Sequence, residues 1–394
     1  MIPLSTGPVP ATAEAVVIGG GVNGLCAAYE LAKLGLKRVV VLEKNYIGSG
    51  STGRCGGGIR AQWTTTENIR LAQESVRMYE NMATELGYQV FFRQGGYLMV
   101  TEEEKHLAAM RDAVALQNSC GVPTEFLQPQ ECRRIVPDLD VSRLAGATFC
   151  PEDGTAYPFA VTWGYARACL RLGVSIFIRT GVTAIVSDGG RITGVQTDRG
   201  PIAAPVVVNC AGPWSRHMAA MVGVALPNRQ ERHEIMVSES LKPFLEPMVI
   251  SITNGIYFSQ SMRGEIVGGI GDPAEPHWTD PGQFDTRSQL RFAVRFAKAL
   301  LAYYPRAAGV RMMRQWAGMY DVTPDHRPIL GGVPGLEGYW HICGFSGHGF
   351  MLGPMTGKRM AKHIVSGEPD DIISSLSLSR FDSGETVADA FVVG

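Results

Sequence analysis

Gly19, Gly21 and Gly24 stand in the spacing Gly-x-Gly-x-x-Gly, and Glu43 follows with Lys44 beside it. Such a set can hold a dinucleotide. A glycine at 19 permits a tight turn, one at 21 lets backbone N–H groups reach a pyrophosphate, and one at 24 lets a helix lie close on a strand. A carboxylate at 43 can accept hydrogen bonds from a ribose diol. The spacing is weak alone, and its flanks make it specific. Ala15–Ile18 is a short apolar, β-branched run that predicts a buried parallel strand. Leu25–Ala32 predicts a helix with a small-residue face, and Val39–Leu42 a second buried strand. The whole is one βαβ unit whose helix N-terminus offers N–H groups and a positive dipole end to phosphates. FAD and NAD both remain open at this point. The continuation favours FAD. Gly48-Ser49-Gly50-Ser51-Thr52-Gly53 and Gly56-Gly57-Gly58 follow where a nicotinamide enzyme would start another helix. A glycine-rich extended stretch suits backbone lying along an elongated ligand.

The elements that must carry these residues are legible in outline. Residues 67–87 predict a long amphipathic helix, 88–100 strands around Gly95-Gly96, and 102–120, 129–135 and 159–172 helices. Val174–Ile178 and Val206–Val208 read as buried strands, with hairpin turns at Asp188-Gly189-Gly190 and Asp198-Arg199-Gly200 between them. Residues 230–271 form a strand-rich block, 285–303 a helix, and Gly347–Ile364 a glycine-opened helix before a loose tail. The 394 residues suffice for one large or two intertwined domains. The 36 Lys and Arg nearly cancel 37 Asp and Glu, which argues against a nucleic-acid partner. No zinc-ligand spacing is present among the eight cysteines, so no metal site is expected. No apolar run approaches a membrane span, and residues 1–13 lack the basic start of a signal peptide, so a cytoplasmic protein with buried thiols is expected.

Several motifs in order carry a resemblance over almost the whole chain, from about Glu14 to about Gly367. They are Val16–Gly24 with Glu43, Gly48–Thr52, Cys210-Ala211-Gly212-Pro213-Trp214, Thr323-Pro324-Asp325, and Gly344-Phe345-Ser346-Gly347-His348-Gly349-Phe350. The sequence resembles the D-amino-acid-oxidase-like flavoproteins, in the branch of sarcosine oxidase and proline dehydrogenase β-subunits. The resemblance implies an α/β fold, with a Rossmann-like FAD domain over residues 1–88, 150–225 and 318–394. A sheet-rich α+β substrate domain would take residues 89–149 and 226–317. It places Gly19, Gly21, Gly24, Glu43, Lys44, Gly50, Ser51, Thr52, Gly57, Gly58, Ala211, Gly212 and Trp214 along the cofactor. Val182 falls at the adenine, and Gly347, His348, Gly349, Phe350 and Met351 beside the flavin. N–H groups at the opening of that last helix would stabilise negative charge on the reduced ring.

The same resemblance implies hydride abstraction from the carbon next to an amine nitrogen in a small amino acid. Arg60 falls where the branch clamps a substrate carboxylate, Tyr257 at a pocket aromatic, and His348 near the flavin, where a structural role competes with a proton-handling one. His233 reads mainly as structural. No obligatory side-chain base is visible, which suits hydride transfer by positioning. Departures are informative. Gly318 replaces the cysteine that tethers FAD in some relatives, and Pro158 stands where a tethered FMN needs histidine. FAD is therefore expected to be non-covalent, with room for a non-covalent FMN at a subunit interface. Met351 replaces a second carboxylate-binding cation, which turns the expectation from simple sarcosine toward proline, hydroxyproline or opine-like substrates. Ile266 falls near the position of an oxygen-activating lysine, so a quinone or partner subunit is the expected electron acceptor. The rival reading is a flavin-carrying assembly and relay subunit of a hetero-oligomer, and a homo-oligomer is also open. A third reading, an NAD-dependent dehydrogenase, would be excluded by a yellow preparation absorbing at the flavin bands.

Overall fold

The computed structural model describes residues 4–274, 280–382 and 388. Most of the expected C-terminal tail lies outside them. β1 (Ala15–Ile18), α1 (Val22–Lys33) and β2 (Val39–Glu43) form the βαβ unit, and both strands are buried along their length. β1 pairs in parallel with β2 and with Val207–Asn209. Ser175–Ile178 extends the sheet beyond β2, and Leu336–Cys343 extends it beyond Val207–Asn209. With the hairpin strands of residues 182–203 and the strand Ile329–Val333 this makes a nine-stranded sheet. Its central strands are apolar without alternation because helices cover one face and hairpins the other.

The second sheet has eight strands and gathers Tyr97–Thr101, Glu125–Leu127 and Gly146–Cys150 with five strands between Arg229 and Val322. The helix Leu290–Tyr303 covers it with Phe292, Phe296, Leu300 and Tyr303, at the spacing of one helix face. It starts five residues later than the sequence indicates, with Gln289 extended at its N-cap position and no side-chain capping bond. Residues 88–96 make no strand of their own; only Tyr97–Thr101 does. Of the domain boundaries expected at 150 and 318, the first coincides with the end of Gly146–Cys150. The second falls inside Met312–Val322, which pairs along Arg229–Ser240 and so carries Tyr320 and Asp321 in from the second sheet.

Two long helices fix the far wall. Gly349–Ser366 lies on α1, and contact is close because Gly353 and Gly357 face it. A Cβ at Gly353 would stand 2.2 Å from Asn23 Oδ1, and one at Gly357 2.9 Å from the Ala27 nitrogen. Pro354 inside this helix has no N–H to give the Phe350 carbonyl. α2 (Thr66–Leu86) supplies the missing donor: Tyr79 Oη donates to that carbonyl at 2.6 Å, and Ser75 Oγ to the Met351 carbonyl at 2.5 Å. Among the described residues no helix is long and apolar enough to cross a membrane, and no group of three His, Cys, Asp or Glu side chains could hold a metal. All eight cysteines are free, six of them buried.

Candidate active site

A long cavity runs from Thr180–Val182, past the ends of β1 and β2, to the edge of the second sheet. Gly19 and Gly21 line it. At Gly19 φ is +117°, and a Cβ there would stand 2.4 Å from the Cys210 carbonyl oxygen, so the turn requires glycine. A Cβ at Gly21 would meet only Thr52, with Oγ1 at 3.1 Å. The rest of that space is cavity, a cradle that any side chain would fill. Gly24 is off the lining. Its Cβ would stand 2.0 Å from the Gly19 carbonyl oxygen, so this glycine serves helix–strand contact.

Glu43 lines the next stretch. Its carboxylate accepts from the N–H of Gly20 at 2.8 Å, the N–H of Asn45 at 2.7 Å and Ser49 Oγ at 3.2 Å. These donors fix its rotamer at the mouth of the turn. Lys44 lines the cavity with its ammonium 3.3 Å from the centre of the Trp214 ring, and burial holds its pKa below the usual value. Gly50, Ser51, Thr52, Val182, Ala211 and Gly212 line it as well. Gly57 and Gly58 do not. Gly58 opens a short strand pairing with Gly154–Thr155, where a Cβ would stand 1.7 Å from Tyr97 Oη, and Gly57 just before it, at φ +77°, would put a Cβ 2.2 Å from the Ala156 carbonyl oxygen. Their small size serves packing.

Gly347, Gly349 and Phe350 line the flank of the cavity where the last helix opens. Gly344, Ser346 and Gly347 have φ of +71°, +49° and +91°, so the chain turns sharply into that N-terminus. The Gly344 N–H is held by Asp321, at 2.8 Å from Oδ2, and Gln230 donates to the other oxygen at 3.2 Å. Burial pushes Asp321 up to about 6 against these donors. His348, between lining residues, turns away and lies off the lining. Its Nε2 stands 3.3 Å from Arg60 Nη2, and since a guanidinium only donates, Nε2 accepts and the ring proton sits on Nδ1. Burial, then the charge of Arg60, holds His348 well below its ordinary pKa. Met351 is buried and also off the lining.

Arg60 is 1% exposed and behind this wall. It donates to the Gln62 carbonyl at 2.8 Å and stacks 4.5 Å from the Trp63 ring centre. Asp153 pins the segment, accepting from the Ala61 N–H at 2.7 Å and from Gln62 Nε2 at 2.9 Å; burial pushes its carboxyl up to about 7. The cavity-facing arginine is Arg54, which the sequence reading passed over. Its guanidinium donates to the carbonyls of Ser49 and Ala317, each at 3.2 Å.

The cavity ends on Tyr257, His233 and Tyr320, with Cys55 beside them. Tyr257 is expected here; His233 reads in sequence mainly as structural, and Tyr320 is brought in by the strand Met312–Val322. Burial, then the charge of Arg232, lowers His233 to about 4, so its ring is neutral near pH 7. Burial also pushes the Cys55 thiol up to about 12, which makes it unreactive. The motif residue Asp325 is fully buried on Arg380, at 2.8 and 3.0 Å, and is structural.

An open glycine cradle at a helix N-terminus, a carboxylate at the end of β2 and a second helix N-terminus farther along fit the phosphates, ribose and ring of FAD. Comparison with known proteins agrees. Residues 14–363 match the model of the family described as FAD dependent oxidoreductase. Sarcosine oxidase subunit beta of Rhodobacter capsulatus is 31% identical over 386 residues, covering 97% of this chain and 91% of the relative. Its counterpart in Rhizobium meliloti is 32% identical over 380 residues, covering 94% and 89%. The crystal structure of L-proline dehydrogenase from P. horikoshii superposes with a TM-score of 0.90 at 34% identity, over 96% of this chain and all of that one. With a cradle of the right chemistry and a match running from β1 into the helix Gly349–Ser366, the chain belongs to the FAD-dependent oxidoreductase family.

Proposed function

We propose that this chain oxidises the C–N bond of a secondary or N-substituted amino acid, of proline, hydroxyproline, sarcosine or opine type. The observation that carries the reading is the cavity's end: beyond the glycine cradle it closes on three neutral aromatic rings, Tyr257, His233 and Tyr320. Such a wall excludes water and holds an amine in its uncharged form. FAD bound in the cavity supplies the hydride acceptor. The Gly344–Phe350 turn and its helix N-terminus face the region where negative charge would gather, and Asp321 keeps that turn in place. Arg60 is proposed to clamp the substrate carboxylate on the strength of the resemblance alone, for the side chain lies behind the Gly347–Phe350 turn and off the cavity lining. The names of the relatives, sarcosine oxidase and L-proline dehydrogenase, support the substrate class. Mixing the yellow protein anaerobically with a panel of N-alkyl and cyclic amino acids tests it. Bleaching by at least one is expected, and no bleaching by any overturns the reading.

A second reading keeps the same chemistry but assigns it to a complex. The relatives from Rhodobacter and Rhizobium are named as beta subunits, which favours partner subunits, with an FMN at the shared interface as the relay. Bleaching that appears only after reconstitution with a partner supports this arrangement.

A further inference from the structure

We propose that Asp321 is a positioning residue that also sets the driving force of the reaction: it holds the turn facing the flavin, and its charge, with no cation beside it, lowers the ring's affinity for electrons until the carboxylate is protonated. This rests on the reading above, in which FAD lies in the cavity with its ring beside the Gly344–Phe350 turn, and it adds what controls reduction there.

The geometry comes from strand register. Met312–Val322 is the outermost strand of the second sheet on its side, and its pairing with Arg229–Ser240 sets Gln230 opposite Asp321. Gln230 Nε2 donates to Oδ1 at 3.2 Å, and Asn228 Nδ2 donates to the same oxygen. Oδ2 accepts the Gly344 N–H at 2.8 Å, and the backbone carbonyl of Asp321 accepts the Ser346 N–H at 2.9 Å. One residue thus grips both ends of a turn whose Gly344 and Ser346 have φ of +71° and +49°. Ser346 is in a conformation that residues with a Cβ rarely adopt, so the turn needs holding. Asp321 is buried, and it lines the cavity together with Gly344, Ser346 and Gly347.

Among the described residues every partner of this carboxylate is neutral, two amides and one N–H. Arg229, between the two amides, is exposed and stands opposite Val322. Burial keeps the Tyr320 hydroxyl and the Cys343 thiol far above their ordinary pKa values, so both stay uncharged. Arg380, near Cys343, is bound to Asp325 at 2.8 Å. Gly212–Trp214, which packs on the strand, brings no charged side chain. The field of the carboxylate therefore reaches the cavity with little screening. The substrate gives up a hydride, two electrons and one proton, and leaves as an iminium cation, so the ring gains one negative charge. A carboxylate in the wall opposes that charge and a carboxylic acid does not. The effect is reciprocal: reduction favours the proton on Asp321 as much as the proton favours reduction. Burial already pushes this carboxyl up to about 6, so the exchange falls at and above that pH.

The test is the midpoint potential of the FAD-loaded protein, titrated with dithionite against a reference dye from pH 5 to pH 8, for wild type and Asp321→Asn. The variant keeps an oxygen for the Gly344 N–H. Asn228, whose Oδ1 has no partner among the described residues, can turn to meet the new amide. At pH 5 the two potentials are expected to agree. At pH 8 wild type is expected to lie lower by at least tenfold in the reduction equilibrium, ~30 mV for a two-electron couple. A variant that merely loosened the turn would differ by the same amount at every pH. Parallel curves, or a wild type above the variant at pH 8, overturn the inference. Should the variant not retain FAD, the infrared difference spectrum of wild type on reduction at pH 7 decides. A new protonated-carboxyl band is expected, and its absence overturns the inference. The titration uses no amine, so curves that separate in a protein no amine bleaches overturn the amine-oxidation reading alone. Parallel curves in a protein that amines do bleach overturn this inference alone.

Discussion

Two glycines three residues apart do different work, and separating them tests the site assignment. In Gly24→Ala the new Cβ would lie 2.0 Å from the Gly19 carbonyl oxygen and 3.3 Å from Cys210 Cβ. Neither neighbour is a flexible side-chain end, so α1 must retreat by about 1 Å from the β1 turn, loosening the packing of Leu25, Cys26 and Ala28, all fully buried. Overpacking of this kind costs ~3 kcal/mol, and the better helix propensity of alanine returns ~1 kcal/mol. The net ~2 kcal/mol should appear in the FAD-free protein as a melting temperature lower by a few degrees. At Gly21, the N-cap of α1, a new Cβ meets only Thr52 Oγ1 at 3.1 Å, so in Gly21→Val the FAD-free fold should lose about 1 kcal/mol, the cost of a poorer N-cap. The valine methyl groups enter the cradle and deny the phosphates two charge-assisted hydrogen bonds, ~3–6 kcal/mol, or a 100-fold or greater rise in Kd for FAD. Thermal melts without FAD and fluorescence titration with FAD separate the two. If the FAD-free Gly21→Val protein melts as low as Gly24→Ala, or if it binds FAD with native affinity, the cradle is misplaced.

Tyr79→Phe should cost about 1–3 kcal/mol in chemical denaturation, because Pro354 cannot give the Phe350 carbonyl its helical N–H; an unchanged midpoint would show that water replaces the hydroxyl. Arg60→Ala should lower kcat/KM for the best amino-acid substrate by roughly 30-fold or more, and unchanged kinetics would remove Arg60 from substrate binding. Asp321 is raised from 3.8 to about 6 in the fold, so the folded state holds its proton more tightly and this contribution to stability is lost as pH rises from about 4 to about 6. Over that window wild type should lose up to ~3 kcal/mol relative to Asp321→Asn in FAD-free denaturation; parallel curves would refute it. Reduced protein mixed with air-saturated buffer should reoxidise much more slowly than it turns over with a quinone or dye, since the cations lining the cavity among the described residues are Lys44, stacked on Trp214, and Arg54, tied to two carbonyls. Reoxidation as fast as turnover would make the chain an oxidase.

The cofactor half was legible because local rules dictate it. A buried strand, a glycine turn and a small-faced helix are each set by neighbours in sequence, and α1 and β2 stand where periodicity placed them. The substrate end was not, because it is made by long-range register. In sequence Ile266 falls near the position of the oxygen-activating lysine. In the sheet, Tyr257 stands opposite Gly269, and Val267 packs with Tyr257, Tyr97 and Ile235. Ile266 points the other way, into the core with Phe258 and Phe296. A strand alternates faces at every residue, so an error of one position exchanges cavity for core. The residues of that strand on the Tyr257 side are thus Val267 and Gly269, and neither can carry charge, so the proposal of slow reaction with oxygen rests on these positions rather than on Ile266. Lys242 and Arg263 are exposed and off the lining, and Arg263 pairs with Glu265. The same register accounts for His233. In sequence it is one histidine in a charged segment, Arg232-His233-Glu234. Only pairing with the strand whose residue 269 lacks a side chain brings it beside Tyr257, so its place at the cavity depends on a glycine of another strand and could not be read from its own neighbours.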